Sequence, residues 1–460
     1  MQSMDLVELL KCNEGKTLEF KRDLPSAENV LRTIVAFANT AGGILLIGVE
    51  NKTRHVRGVV GDPLVLEERL ANFIADGIRP HLVPDLEILP WRRSYVVAVQ
   101  IYPSPTRPHH VKALGPEAGI FVRIGSTNRR ADRELIQELG RWARNESFDE
   151  QPMLELNSEA IDFRAASESF APVKVLKRSD LRTLRLTAYH QGREVPTVGG
   201  VLLFGKKRET HFPDAWIQAG RFEGTDRSRI LDTAEIKVPP VQGVEEAIAF
   251  VKRNIARETV IGEVRHVERW MFPLPAVREA VINALVHADY AQRGAPIRVA
   301  IYADRLEVEN PGLLPFGLAI EEIQKGISRL RNRVIGRVFH SLGLIEQWGS
   351  GIQRILGTCR EAGLQDPHFE EIGTHFRVTL FKARRRAPLV TETDRAILHA
   401  LGQSKGLSTH ELAARIQRSP RGTRTRLLSL VERGFVVEVG TGPKDPQRRY
   451  FLADNQQDRF

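Results

Sequence analysis

The chain has 460 residues, 42% of them hydrophobic, and carries a net charge of +10 with a pI near 9.7. That length suggests about three domains of roughly 150 residues, the apolar content excludes global disorder, and the charge favours an acidic partner, nucleic acid being the commonest. Two distant cysteines, Cys12 and Cys359, exclude a disulfide framework or zinc pattern, and no apolar run approaches the roughly 18 residues that span a bilayer. The start MQSMDLVELL has no basic n-region and no long apolar core, so a cytoplasmic protein without a membrane partner is expected.

The first domain is expected over 1–145. After a short helix comes Glu14-Gly-Lys-Thr-Leu-Glu19-Phe-Lys21-Arg22. Ala27 to Ala38 has helical periodicity and ends at Asn39-Thr-Ala-Gly-Gly43, where glycine suits a left-handed turn. Ile44 to Val49 and Tyr95 to Tyr102 read as strands, and Ala131 to Arg144 as a helix. His109-His110 follows a Pro-rich loop with no third ligand at metal spacing, so a surface pair is expected. The motifs EFKR, AFANTAGGILLIGVEN and FVRIGSTNRRADRELI resemble the AlbA-2 domain of the Schlafen group. The resemblance implies an α+β nucleic-acid-binding domain. It also implies, from the RNA-cleaving relatives, an acidic triad on Glu14, Glu19 and Glu50. Such carboxylates could hold Mg²⁺ or Mn²⁺, with Glu14 and Glu19 as ligands, against a phosphate. Lys21, Arg22, Arg129 and Arg130 are candidate phosphate contacts.

The second domain is expected over 146–382, with a core from about 268. Residues 146–175 read as a linker, Asp180 to Tyr189 as a helix, and Thr197 to Gly205 as a glycine-led strand. Ala215 to Phe222 reads as a strand and Val244 to Glu258 as a helix. In Arg278–Tyr290, REAVINALVHADY, Glu279, Asn283 and His287 recur at steps of four and share a helical face. Two strands hinged at Asp304-Arg305 follow, then Asn310-Pro311-Gly312, Trp348-Gly349-Ser350-Gly351, and a terminal strand from Gly373 to Leu380. This order resembles the GHKL ATP-binding fold, and more closely the RecG-like ATPase-type domain of bacterial Schlafen/AlbA-2 regulators. The resemblance implies ATP as cofactor, Asn283 as Mg²⁺ ligand and Glu279 at the catalytic water. It also implies His287, Asn310, Gly312, Gly349 and Gly351 around the nucleotide. Asn310 stands where the motif carries Asp. No P-loop signature occurs.

The third domain is expected over 383–460, behind the basic linker KARRRAPLVT, whose Arg384 to Arg386 read as a solvated tether. From Arg384 on, 15 Lys+Arg face 8 Asp+Glu. Ser408-Thr-His-Glu411 is a capping box, and Ser419-Pro420 a cap followed by Pro at the first helical position. Three helices and a hairpin make winged helix-turn-helix order. Arg421, Arg424 and Arg426 would face DNA from the recognition helix, whose Leu427, Leu428, Leu430 and Val431 turn inward. Lys444 and Arg448 would face phosphates from the wing.

The fold class expected is therefore α+β and multidomain: an AlbA-2/Schlafen-like domain, a GHKL-like α/β sandwich and a winged helix. The function expected is a DNA-binding, ATP-binding regulator of transcription, dimeric on paired half-sites. The alternative is a Schlafen-like metal-dependent ribonuclease acting on transfer RNA or other structured RNA.

Overall fold

A computed structural model describes residues 4–24, 26–51, 53–255, 257–261, 266–346, 349–382, 391–404, 406–441, 445 and 447–453. The chain forms two compact units, one of Met1–Asp132 with Ala387–Phe460, the other of Arg133–Arg386.

In the first unit, a four-stranded sheet runs in the order Leu18–Lys21, Gly43–Ile47, Ser94–Ile101, Asp85–Trp91. The first pair is parallel and the others antiparallel. A parallel pair needs a crossover, and the helix Ala27–Asn39 supplies it. That helix ends where expected, with Gly42 at φ +76°. Strand residues alternate between two cores. Leu45, Ile47, Val97 and Val99 pack with Ile34, Val35 and Phe37 on one face. Leu46, Val96 and Ala98 pack with Phe20, Leu6 and Leu10 on the other. The second core is completed by Val437, Val439 and Phe451 of the C-terminal hairpin. Burying each such large side chain contributes roughly 1.5–3 kcal/mol.

His109 corrects the surface-pair expectation. It is fully buried, with its ring nitrogens 2.9 Å from Pro80 O and 2.6 Å from Ser104 Oγ. Asn39 brackets its backbone, accepting from His109 N and donating to His109 O. Burial holds its pKa below the usual range, so the ring is a neutral structural strut.

The C-terminal part has helices Glu392–Gly402, Thr409–Arg415 and Pro420–Glu432 before the antiparallel hairpin Val436–Val439 with Arg449–Leu452. Ser408 and Glu411 form the capping box. Leu427 and Leu430 enter the core with Ile397, Leu401, Leu412 and Tyr450. Leu428 does not: it is 48% exposed, on the helix face opposite the core.

In the second unit, six strands run in the order Ile230–Ile236, Ile217–Phe222, Ile297–Ile301, Arg305–Pro311, His375–Phe381, His368–Ile372. Only the Ile217–Phe222 and Ile297–Ile301 pair is parallel. Ile297, Val299, Ile301, Leu306, Val308, Val378 and Leu380 point into one core with the helices Pro240–Asn254, Leu274–His287 and Gly351–Glu361. The alternate positions form a charged lattice. Glu309 lies 3.0 Å from Arg298 and 2.6 Å from Arg377, and Glu307 lies 2.7 Å from Arg305.

Three expectations fail here. Residues 146–175 include a helix, Phe163–Phe170, besides short turns. Asp180–Thr183 is a single helical turn, followed by the strand Thr187–His190. Val198–Phe204 is a buried helix, not a strand. A Cβ on Gly200 would meet Leu186 O at 2.1 Å, and one on Gly199 would meet Val334 Cβ at 2.6 Å. The glycines permit close helix packing. Helix Arg133–Ala143, placed at the end of the first domain by its sequence, belongs to this unit. Asp149 accepts from the amides of Arg333, Val334 and Ile335 at 3.0, 2.7 and 2.9 Å. It thereby caps the helix Arg333–Ser341 from far away in sequence.

Candidate functional site

Helix Leu274–His287 forms because Pro275 falls in its first turn, where proline is tolerated, and the stretch after it lacks breakers and presents Val277, Val281 and Leu285 to the core. Glu279, Asn283 and His287 occupy one line, as their spacing requires. Glu279 is buried, with Arg354 3.5 Å away, and burial raises its pKa despite the nearby Arg354 charge. A Cβ on Gly351 would meet Glu279 Oε1 at 2.3 Å and Asn283 Nδ2 at 3.2 Å. Gly351 therefore lets the start of the helix Gly351–Glu361 rest directly on this polar line. Gly349, at φ +67°, passes within van der Waals reach of Gly326 O. The structure thus brings Glu279, Asn283 and Gly351 together. Trp348 lies outside the described residues.

Asn283 Nδ2 and His287 Nδ1 are enclosed without a hydrogen-bond partner. Burial, helped by the Arg331 charge, pushes His287 down to about 4, so its ring is neutral. The Asn283 amide lies beside the Glu279 carboxylate, which it helps to hold in its charged form against burial.

At the next loop the geometry differs from the resemblance. Asn310 is buried within its strand and donates to Pro311 O at 2.9 Å, so this donor is not offered to a base. Gly312, at φ +101°, is covered by a side chain: a Cβ there would lie 1.8 Å from Arg331 Nη1. Arg331 donates to His287 O at 3.1 Å and to Leu313 O at 2.7 Å. It also faces Glu138 at 2.7 Å, and both side chains are buried. Glu138 is held above the usual carboxylate range by burial, against the pull of Arg331. Arg331 was not legible as a site residue. Its signal would have been a run, Arg329-Leu-Arg331-Asn332-Arg333, denser in charge than its buried surroundings allow.

In the first unit the acidic triad is not assembled. Glu14 accepts from Phe20 N at 2.6 Å. Glu19 is buried and ion-paired with Arg123 and Lys21. Glu50 accepts from Thr53 Oγ1 at 2.8 Å and Arg57 Nε at 2.9 Å, and these bonds hold its pKa below the ordinary value. Each carboxylate is committed to a different partner. Among the described residues no group of three His, Cys, Asp or Glu side chains could hold a metal ion. Arg123, which lies in the FVRIGSTNRR motif but was assigned no role there, is the centre of this region. It donates to Gly15 O at 3.0 Å and to Asn128 Oδ1 at 2.9 Å, while Asn128 donates to Thr33 Oγ1 at 2.8 Å.

The basic candidates divide by exposure. Arg22 is 68% exposed, and Arg129 and Arg130 are exposed on the strand Thr127–Arg130. Lys21 is partly exposed but tied to Glu19. Ser419 accepts from Gly422 N, opening the recognition helix with Pro420 in its first turn. Arg421 and Arg424 are exposed and pair with no carboxylate among the described residues, whereas Arg426 faces Asp394 at 3.9 Å. Arg448 corrects the wing expectation: it is buried, 3.1 Å from Glu438, and is not presented to a phosphate. Lys444 and Arg384 to Arg386 lie outside the described residues.

Three family models match in chain order. Residues 14–132 match "Schlafen, AlbA_2". Residues 294–380 match the model described as ATP-dependent DNA helicase recG C-terminal. Residues 390–437 match "Winged helix-turn-helix DNA-binding". The chain joins a Schlafen AlbA_2 domain, a RecG-type ATPase-like domain and a winged helix. No curated protein matches it. Among solved structures, the DIP2311 protein from Corynebacterium diphtheriae is similar at 20% identity and TM-score 0.44, over 96% of this chain and 94% of that one. The N-terminal domain of an ATP-dependent DNA helicase RecG-related protein from Nitrosomonas europaea is similar at 26% identity and TM-score 0.22, over 27% of this chain and 92% of that one. The AlbA_2, RecG-type and winged-helix domains are of kinds consistent with nucleic-acid binding, and no helix among the described residues is long and apolar enough to cross a membrane.

Proposed function

We propose that this chain is a DNA-binding regulator of transcription whose ATPase-like domain takes a nucleotide. The observation that carries the reading is the recognition helix Pro420–Glu432. Its apolar face is committed to the winged-helix core, while Arg421 and Arg424 stand exposed with no carboxylate partner among the described residues. Cations left unpaired at the start of such a helix are what a duplex backbone or base edge needs.

The polar line of the second unit supports the nucleotide part. Asn283 and Glu279 would meet the phosphates and their Mg²⁺, and the Gly349-Ser350-Gly351 turn would lie along them. A bound nucleotide would supply phosphate charge at the Asn283 amide. Arg331 covers Gly312, so base entry requires that side chain to move. Nucleotide could then bias DNA binding only by favouring one of the two arrangements. The ribonuclease alternative draws no support from Glu14, Glu19 and Glu50, since no group of three such side chains among the described residues could hold a metal ion.

The test is DNA binding measured against salt. Arg424→Ala should weaken binding to duplex DNA and lower the slope of log K against log salt by about 0.9 per lost phosphate contact. Unchanged affinity and slope would sink the reading. So would discrete cleavage of transfer RNA that disappears in Glu14→Ala.

A further inference from the structure

The C-terminal hairpin is engaged where a wing would ordinarily be free. Val437, Val439 and Phe451 complete the apolar core on the sheet of the N-terminal domain. Val56 N donates to Gly440 O at 3.2 Å, and Lys11 Nζ lies 5.1 Å from the centre of the Phe451 ring. The hairpin's turn is held as well. Asp445, with its side chain 2% exposed, accepts from Thr441 N and Gln447 N at 2.8 Å each. It also accepts from Arg92 Nη1 at 2.6 Å, while Arg92 Nη2 donates to Gln447 O at 2.8 Å.

Arg92 belongs to the two-residue turn between the strands Asp85–Trp91 and Ser94–Ile101. It sits at φ +56°, as the first position of a two-residue turn between paired strands calls for. The next residue, Arg93, is exposed and pairs with no carboxylate among the described residues. Of the hairpin's basic residues, Arg448 is turned inward on Glu438 and Arg449 lies 3.8 Å from Glu411.

We propose that the hairpin is a fixed joint rather than a free wing, and that the Arg92-Arg93 turn of the N-terminal domain takes its place at the duplex. Arg92 holds the joint, and Arg93 contacts a phosphate flanking the recognition helix. The inference rests on the DNA-binding reading and adds to it a contact from a different domain. The reason is positional: in winged-helix order the hairpin's turn flanks the duplex, and here two described residues of that turn, Asp445 and Gln447, hold Arg92. The ligand is the phosphate backbone, so no sequence preference follows from Arg93.

The experiment uses the full chain and a mixed-sequence duplex of about 30 base pairs, roughly three helical turns. Fluorescence anisotropy is recorded across a salt series for wild type, Arg424→Ala, Arg93→Ala and Arg93→Lys. Arg93→Ala should lower the salt slope by about 0.9, and Arg93→Lys should restore it. Arg92→Ala and Asp445→Ala should each weaken binding, with the double variant losing less than the sum of the two, because the residues share one contact. If Arg93→Ala leaves slope and affinity unchanged while Arg424→Ala weakens binding, this inference falls and the DNA-binding reading stands. If the wild type binds no duplex, or neither substitution has an effect, both fall. An Arg92→Ala/Asp445→Ala double that loses the sum of the two single losses overturns the joint.

Discussion

Among the described residues, each unit has an Arg–Glu pair with both side chains buried, Arg123 with Glu19 and Arg331 with Glu138, and the two are held differently. Arg123 and Glu19 sit in a closed network, where the arginine also reaches Gly15 O and Asn128 and the carboxylate also meets Lys21. Arg331 and Glu138 are as deeply buried, and Arg331 also donates to His287 O and Leu313 O, but its Nε has no hydrogen-bond partner. A satisfied buried pair fixes a scaffold, because removing either partner strands a charge. An under-satisfied pair is easier to displace, since less is lost on opening it. The second pair covers Gly312, at the loop where a nucleotide base would enter, so the looser arrangement lies where movement would be useful.

The largest break in this comparison should come from Glu19→Gln. It leaves Arg123 buried without its full counter-charge, and chemical denaturation should show the first unit destabilised by about 3–5 kcal/mol. A loss below about 1 kcal/mol would mean that the network is not a scaffold. Next, Arg331→Ala should uncover Gly312 and tighten ATP binding by about tenfold in calorimetry, because less of the population is closed. Weaker binding would instead make Arg331 a ligand of the nucleotide.

A third effect concerns pH. His287 is pushed down to about 4 in the folded chain, against an ordinary value of 6.5. Between those values the unfolded chain binds the extra proton, so this group's contribution to stability is present above about 6.5 and is lost as pH falls toward 4. His287→Gln should flatten that part of the stability–pH profile of the second unit. An unchanged profile would mean that other groups set it.

Legibility followed the range of the physical signal. Helix Leu274–His287 could be read because its apolar period and its line of Glu279, Asn283 and His287 are local. The caps at Ser408 and Ser419 are local too. The run at 198–204 is apolar throughout, so it has no period, and length alone cannot separate a buried helix from a strand. His109 was misplaced because its partners Asn39 and Pro80 lie far off in sequence. Arg448 failed similarly, since its Glu438 partner depends on how the hairpin pairs. At the loop Asn310-Pro311-Gly312, motif order pointed to Gly312, but nothing local in the sequence shows that a residue 19 positions later covers it.

One core joins Leu6, Leu18, Phe20 and Leu46 to Val437, Val439 and Phe451. Synthesis runs from the N-terminus, so the apolar back of the first sheet emerges from the ribosome long before the segment that covers it. For the whole time the second unit is being made, that face must remain uncovered or be shielded by something else. Messages truncated before Val436 should therefore yield aggregation-prone chains even though every residue of the AlbA_2 match is present.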